Sequence, residues 1–487
     1  MKPREAVVVA LLVAGCCLVS ALSARAAAPP APKLEDLPLQ DNVSQYGITW
    51  TFDKKVHVGQ FVTGDYYVVG RVTVTAISPA PEERRNGSML NPDPGEYHGY
   101  GEVKNDPAMA TLRYKAELAA KLPIAMKPGD SLVSTITRPD TKGWITACDG
   151  IGSAGTPLVA SVLTCLESPA PPDTFRPCYC GRQKKLYHFS DLHLEVLPAV
   201  KLTAGAPKIE FYNRVFERPW LDHVYDWGSR ELHPTENMPD YGQRIGKRVG
   251  EASLLLISDL PLDQKKKLLV GFVQYGIDLW GCIERGIKGW PQKGGFGSGR
   301  KWPLIFTGLL LKDEAMQKPK AEFGEDQGTA FGPCWTGANV VFTGHSGKDG
   351  WGDLERAAYE HLPPAKWLKL TSETYRRNSV SDCWVAQALA ARLMKAEKVW
   401  DHDAFFAYVD RWMMEDQTKP LAELKKACAE KGWGFPQYWK PDMERTTKFV
   451  QEMWDQYRPP LAAPMDGWKP KAQPRGEGPK TESPAEK

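Results

Sequence analysis

Neither sign of charge dominates this 487-residue chain: 62 Lys and Arg stand against 59 Asp and Glu, a net of +3. The lysines are dispersed, so the basic face that a nucleic acid requires is missing. After the N-terminal apolar run, no segment reaches the roughly 18 uninterrupted apolar residues of a membrane helix. Gly-x-Ser-x-Gly, His-Glu-x-x-His, the Walker phosphate loop and the Rossmann glycine fingerprint are all absent. Serine-hydrolase, zincin, nucleotide and dinucleotide chemistry therefore have no foothold. No cofactor is expected, and no metal. Cys178-Tyr179-Cys180, with His188 and His193 nearby, is the stretch that comes nearest to a ligand set, but its spacing matches no strong zinc pattern.

What is present starts at the N-terminus. Lys2 and Arg4 precede an apolar run from Ala6 through Leu22, and Ala24, Ala26 and Ala28 offer small-residue cleavage positions. That arrangement is a secretory signal over 1–26. Val13-Ala14-Gly15-Cys16 can also be read as a lipoprotein site with the lipid on Cys16, but Leu18, Val19 and Leu22 continue the apolar core where a tether would be polar. The reading is thus an exported protein, periplasmic or extracellular. Of ten cysteines, Cys16 and Cys17 leave with the signal. Some pairing in an oxidising compartment is expected among Cys148, Cys165, Cys178 and Cys180. Cys282 and Cys383 sit inside helical patterns and read as small buried hydrophobes.

The organisation predicted is α+β and multidomain: a sandwich-like β-rich domain followed by an α/α barrel or toroid. Residues 27–46 form a Pro/Ala-rich linker. In 47–206 Ile48, Trp50 and Phe52 alternate with polar residues, as do Val72, Val74 and Ala76, and further strands are expected at 132–136, 144–146, 159–165 and 192–196. One helical insert is expected at 108–122. From 207 to 458 the apolar period lengthens: Ile245, Val249, Ala252 and Leu256 mark one helix, and Leu268 to Cys282 another. Helices at 303–311, 385–393, 405–413, 421–429 and 443–457 follow. Residues 459–487 are Pro, Lys, Glu and Gly with one aromatic, a composition that cannot build a core, and read as a disordered tail.

The chain holds 17 Trp, 17 Tyr and 16 Phe, and their densest polar setting is Tyr212 to Arg244. Trp220, His223, Tyr225, Trp227, Arg230, His233, Asn237, Asp240, Tyr241 and Arg244 all fall there. Flat rings stack on sugars, Arg and Asn hold oxygens, and His and Tyr move protons. The same composition also suits an irregular segment plugging a domain interface. The glycine-rich loop 294–302, ending at Arg300, reads either as flexible or as a substrate contact. Gly344, His345 and Ser346 with Trp351 form a third feature. Tyr375-Arg376-Arg377-Asn378 is a fourth: two arginines at a helix start oppose the dipole, a cost offset if at least one meets a carboxylate from protein or substrate, a surface salt bridge included.

On the loop His233–Tyr241, the Gly-rich loop ending at Arg300, the helix start Tyr375–Asn378 and the surrounding helix pairs, residues 207–458 resemble the α/α-barrel polysaccharide lyases of alginate and glucuronan. The adjacent Asn-His pair that several of those lyases use is missing. The resemblance implies β-elimination in an anionic uronic-acid polymer, with a donor neutralising the carboxylate and a Tyr or His taking the C5 proton. Tyr241 and His233 are the candidates for proton transfer, Asn237 and Arg300 for the carboxylate, and Tyr375 and Arg376 for support. Trp220, His223, Tyr225, Trp227, Arg244, His345 and Trp351 are the candidate substrate contacts. A glycoside hydrolase on the same toroid would need two opposed carboxyls, with Asp240, Asp278 and Asp382 available. A non-catalytic glycan-binding or structural protein would use the aromatics alone.

Export is expected to remove the first twenty-odd residues. The mass of the exported form decides this: an intact Met1, or a lipid on Cys16, would exclude cleavage by ordinary signal peptidase.

Overall fold

The structure, a computed structural model, describes residues 28–102, 113–139, 155–225, 227–292, 295–344 and 359–458. The expected signal, the tail 459–487 and the strand at 144–146 lie outside them. The chain is mixed α/β, with a curled N-terminal sheet that forms a half-barrel and a helical C-terminal part.

The strands are β1 (Leu39–Gln45), β2 (Ile48–Gln60), β3 (Tyr66–Val69), β4 (Val72–Ser78), β5 (Ser88–Leu90), β6 (Ile124–Met126), β7 (Ser131–Thr137) and β8 (Pro157–Leu166). They run in the order β5-β7-β8-β3-β2-β4-β6, with β1 on β2. Within this sheet the described pairings are antiparallel except β3 with β8. The expected two-sheet sandwich is therefore one sheet. Its inner face is filled by Ile48, Trp50, Phe52, Val56 and Val58 of β2 with Val74, Ile124, Leu132 and Leu163. Alternation along a strand sends neighbours to opposite faces, and β7 and β8 use both. Val133, Ala160 and Val162 face the helical core, while Leu132, Leu163 and Cys165 face the half-barrel. Burial on two sides lets a sheet sit directly on a helical body.

Three local expectations fail. The linker carries β1. The insert at 108–122 shows only a 3-10 turn at Ala116–Leu118 among its described residues, and the strand at 192–196 is a 3-10 turn, Leu194–Val196. In both stretches the backbone closes i to i+3 turns at these residues.

Helices α1 (Ile209–Phe216), α2 (Gly242–Leu256), α3 (Leu262–Glu284) and α4 (Lys301–Leu311) are followed by Ser381–Leu393, Asp403–Met414, Thr418–Lys431 and Lys448–Tyr457. Helix α1 occupies residues taken above as part of an irregular aromatic segment. The centre of the helical part is α2 against Ser381–Leu393, and the two approach closely because α2 presents glycine. A Cβ on Gly246 would lie 2.9 Å from Cys383 Sγ, and one on Gly250 2.6 Å from Ala386 Cβ. Cys383 is buried there as a small apolar filler, as expected of it.

Gly250→Ala is expected to cost about 1–3 kcal/mol by overpacking this seam. Gly434→Ala, where a Cβ meets nothing within 4 Å, serves as its control. Urea unfolding checks the pair; equal midpoints would show that the helices are not held at this distance.

Candidate functional site

The candidate residues fall into separate places. At the centre is Asp222, 1% exposed, on the segment after α1. Arg300 Nε donates to its Oδ2 at 2.9 Å and Nη2 to its Oδ1 at 3.2 Å, and the Tyr275 hydroxyl of α3 donates to Oδ2 at 3.0 Å. His233 Nε2 lies 3.4 Å from Oδ1, and its Nδ1 faces the Pro239 carbonyl at 3.0 Å. Burial alone would raise the Asp222 carboxyl; Arg300 and His233 outweigh it and hold the group well below the ordinary carboxylate range. Burial likewise lowers His233, so its ring is neutral here.

Arg300 spends its remaining donors on the Phe296 and Ser298 carbonyls. His233, Arg300 and Tyr241 gather around one ring, Phe296: the ring centroids of His233 and Tyr241 lie 6.5 and 6.3 Å from it, and the Arg300 guanidinium 5.5 Å. The ring fills the space between them. His233 and Arg300 are fully buried, so they have no face for a substrate, and the role of carboxylate neutraliser cannot be carried by Arg300 in this geometry. The described part of the loop that delivers Arg300 is packed inside the protein. Residues 295–300 are buried, and Gly295, at φ +86°, sits where a Cβ would lie 2.1 Å from the Ser379 carbonyl.

Tyr241 itself is half-buried at the N-terminus of α2. Burial and then Tyr375 push its phenol up, beyond what a hydrogen bond with Ser379 lowers it. It is a proton donor in this setting, not a base. Its surroundings are polar: Arg230 and Arg244 pair with Asp240, and Lys247 with Asp382. They lie beside a π-helical turn, Arg376–Val380, a geometry frequent at functional sites. The adjacent arginines there have protein partners: Arg376 forks onto both oxygens of Glu373, and Arg377 donates Nε to Glu373 and Nη2 to Gln417.

Asn237, expected on the substrate carboxylate, donates instead to the Val215 and Arg218 carbonyls at the end of α1. Tyr225 donates to Glu96 at 2.5 Å, tying this segment to the β domain. His223 is completely buried between Tyr100 and Tyr179. The Trp227 side chain, His345 and Trp351 lie outside the described residues.

Of the candidates, Trp220 and Asp278 line an open cavity. This cleft, about 670 Å³, runs between the half-barrel and the helices. Tyr46, Phe216 and Trp220 supply its aromatic wall, and Arg218, Lys266 and Lys267 its cations. On its floor Arg176, fully buried, donates to Asp65 at 2.8 Å and to both oxygens of Asp278 at 3.1 and 2.5 Å. Burial pushes the Asp278 carboxyl up to about 7, against the pull of Arg176. Asp278 was visible in the sequence one turn after Tyr275; Asp65 and Arg176 carried no signal, because their partners are over a hundred residues away.

Compared with known proteins, the chain matches no family model, no curated sequence and no solved structure.

Arg300→Met should destabilise the fold by about 3–5 kcal/mol, since it leaves Asp222 buried without its cation. Arg244→Met, at the half-exposed edge, should cost under about 1 kcal/mol. Denaturant melts of the two variants test the assignment; a fully stable Arg300→Met would return Arg300 to the list of substrate contacts.

Proposed function

We propose that this is an exported carbohydrate-active protein that holds a polysaccharide in the cleft between its two parts. The observation that carries the reading is the cleft itself. Its volume falls within the range of small-ligand sites, about 300–1,000 Å³, and aromatic rings alternate there with charged donors and acceptors. Sugar faces stack on such rings, and sugar hydroxyls need both donors and acceptors.

The finer proposal is a lyase acting on a uronic-acid polymer by β-elimination, on a helical part of α/α-barrel type. The packing of α2 on Ser381–Leu393 and of α3 on α4 supports a helix-on-helix body, and the cations of the cleft support a uronate ligand. With Arg300 locked on Asp222, the neutralising donor is assigned to Arg218, Lys266 or Lys267. Lys267 also meets Glu217 at 2.9 Å, and Arg218 meets Glu236 at 2.6 Å, so a substrate carboxylate would compete with these acids.

Hydrolysis is the second reading, and one observation favours it. Asp278 shares the floor with Asp65, and its raised carboxyl keeps a proton near neutral pH, as a general acid requires.

The purified mature protein is to be incubated with a panel of uronic-acid and neutral polysaccharides. Absorbance of an unsaturated product establishes elimination; new reducing ends without it establish hydrolysis, which Asp278→Asn should then abolish. Lys267→Glu should weaken binding of an acidic polymer about tenfold or more, the loss of one charge-assisted contact. Absence of binding to every polymer would exclude the carbohydrate reading.

A further inference from the structure

Three thiols meet behind the cleft floor. Cys178 and Cys180 come from the strap after β8, and Cys282 comes from the last turn of α3. All three are buried, and their sulfurs lie within 4.8 Å of one another. Cys180 Sγ and Cys282 Sγ are 3.5 Å apart. His188 and His193, the nearby histidines in sequence, turn elsewhere, to Thr174 and Glu195. Among the described residues every cysteine is a free thiol, so the pairing expected of Cys165, Cys178 and Cys180 is not seen there.

Several independent features single this place out. Gly281 makes room for the cluster: a Cβ there would lie 2.2 Å from Cys178 Sγ. The Cys180 amide donates to Cys178 Sγ at 3.3 Å. Lys184 Nζ is wrapped by the carbonyls of Cys178, Tyr179 and Cys180 at 2.9, 3.4 and 3.4 Å, which curls the strap and places a cation beside the sulfurs. Around them stand buried polar atoms with no partner: both ring nitrogens of His223, the Tyr100 hydroxyl and His98 Nε2. His223 feels the charge of Cys178, and Tyr100 that of Cys180 and Cys282. An orphaned, fully buried imidazole with two free nitrogens is costly unless something is meant to bind it.

We propose that Cys178, Cys180 and Cys282 form the thiolate face of a site for one thiophilic d10 metal ion, Zn²⁺ or Cu⁺, with His223 as the fourth ligand when the ion is Zn²⁺. Tetrahedral Zn–S bonds of about 2.3 Å place sulfurs about 3.8 Å apart, which this cluster meets with small movements. His223 stands outside the group of sulfurs and would complete the shell by a turn of its ring. Burial holds its ring neutral, with a pKa near 4, so a nitrogen lone pair is available. Burial alone would raise the Cys178 thiol; the other two thiols and Lys184 outweigh that and hold it well below the ordinary thiol range. Binding displaces the protons of the thiols. Lys184 offsets the surplus negative charge of three thiolates. The ion would pin the strap to α3 two residues from Arg176 and one turn from Asp278, and so fix the cleft floor. The site is independent of what the cleft binds.

The test uses the full mature chain, purified without metal-chelate resin and reduced. Titration with Co²⁺ should give a thiolate-to-cobalt charge-transfer band that saturates at one equivalent and is bleached by Zn²⁺. A Cu⁺-specific chelator in competition reads the other ion. Cys178→Ser, Cys180→Ser and Cys282→Ser should each weaken binding by more than about 100-fold, while Cys165→Ser, outside the cluster, leaves it intact. His223→Gln should change the cobalt spectrum and weaken Zn²⁺ if it is the fourth ligand; unchanged Cu⁺ binding in that variant assigns the site to three-coordinate copper. The wild-type titration needs no variant to fold. Absence of the cobalt–thiolate band, an unchanged band in Cys282→Ser, or a Cys180–Cys282 disulfide in protein taken from its native compartment would each overturn the proposal.

Discussion

The pairing of Asp222 with Arg300 holds the middle of this protein together. Taking one carboxylate and one guanidinium out of water costs several kcal/mol per ion, and only tight, multiple hydrogen bonding offsets it. Asp222 meets that condition by collecting from many segments. Its side chain takes Arg300 from the glycine loop and Tyr275 from α3. Its amide donates to the Tyr179 hydroxyl, and its carbonyl accepts from Trp290. The strap, the segment after α1, α3 and the glycine loop are therefore all registered against a single residue.

The helical part repeats the device. Arg411 forks onto Glu360, and Arg392 and Arg458 both reach Asp410. Arginine suits these positions because its planar fork satisfies two oxygens at once and remains charged when buried. Such a core places many Arg, Asp, Glu and His residues inside, close to aromatic rings. In sequence, that composition is indistinguishable from a substrate groove.

This explains what could be read beforehand and what could not. Apolar periodicity located α2, α3 and Ser381–Leu393, because a long helix shows its buried face in every turn. Alternation located β2, β7 and β8. It could not reveal that they belong to one sheet, since β3 meets β8 across nearly a hundred residues and pairing partners leave no local trace. His233, Tyr241 and Arg300 were chosen as candidates by residue type alone; that Phe296 would stand among them left no signal in sequence. Cys282 looked like packing because no second cysteine stands near it in sequence. Its companions arrive from the strap, across a distance that no motif spans.

Arg176 imposes an order of events on the making of the protein. It bonds Asp65 behind it and Asp278 ahead of it, over separations of 111 and 102 residues. Closing loops of that length is slow compared with forming helices or hairpins. As the chain emerges from synthesis, the strands of the half-barrel are complete by Leu166, yet the guanidinium that anchors Asp65 cannot find its second carboxylate until α3 exists. The half-barrel must wait, its outer surface of Val133, Ala160 and Val162 uncovered, for helices that are made later. An interval of that kind is when a nascent chain is most exposed to aggregation, and the cleft is among the last features to take shape.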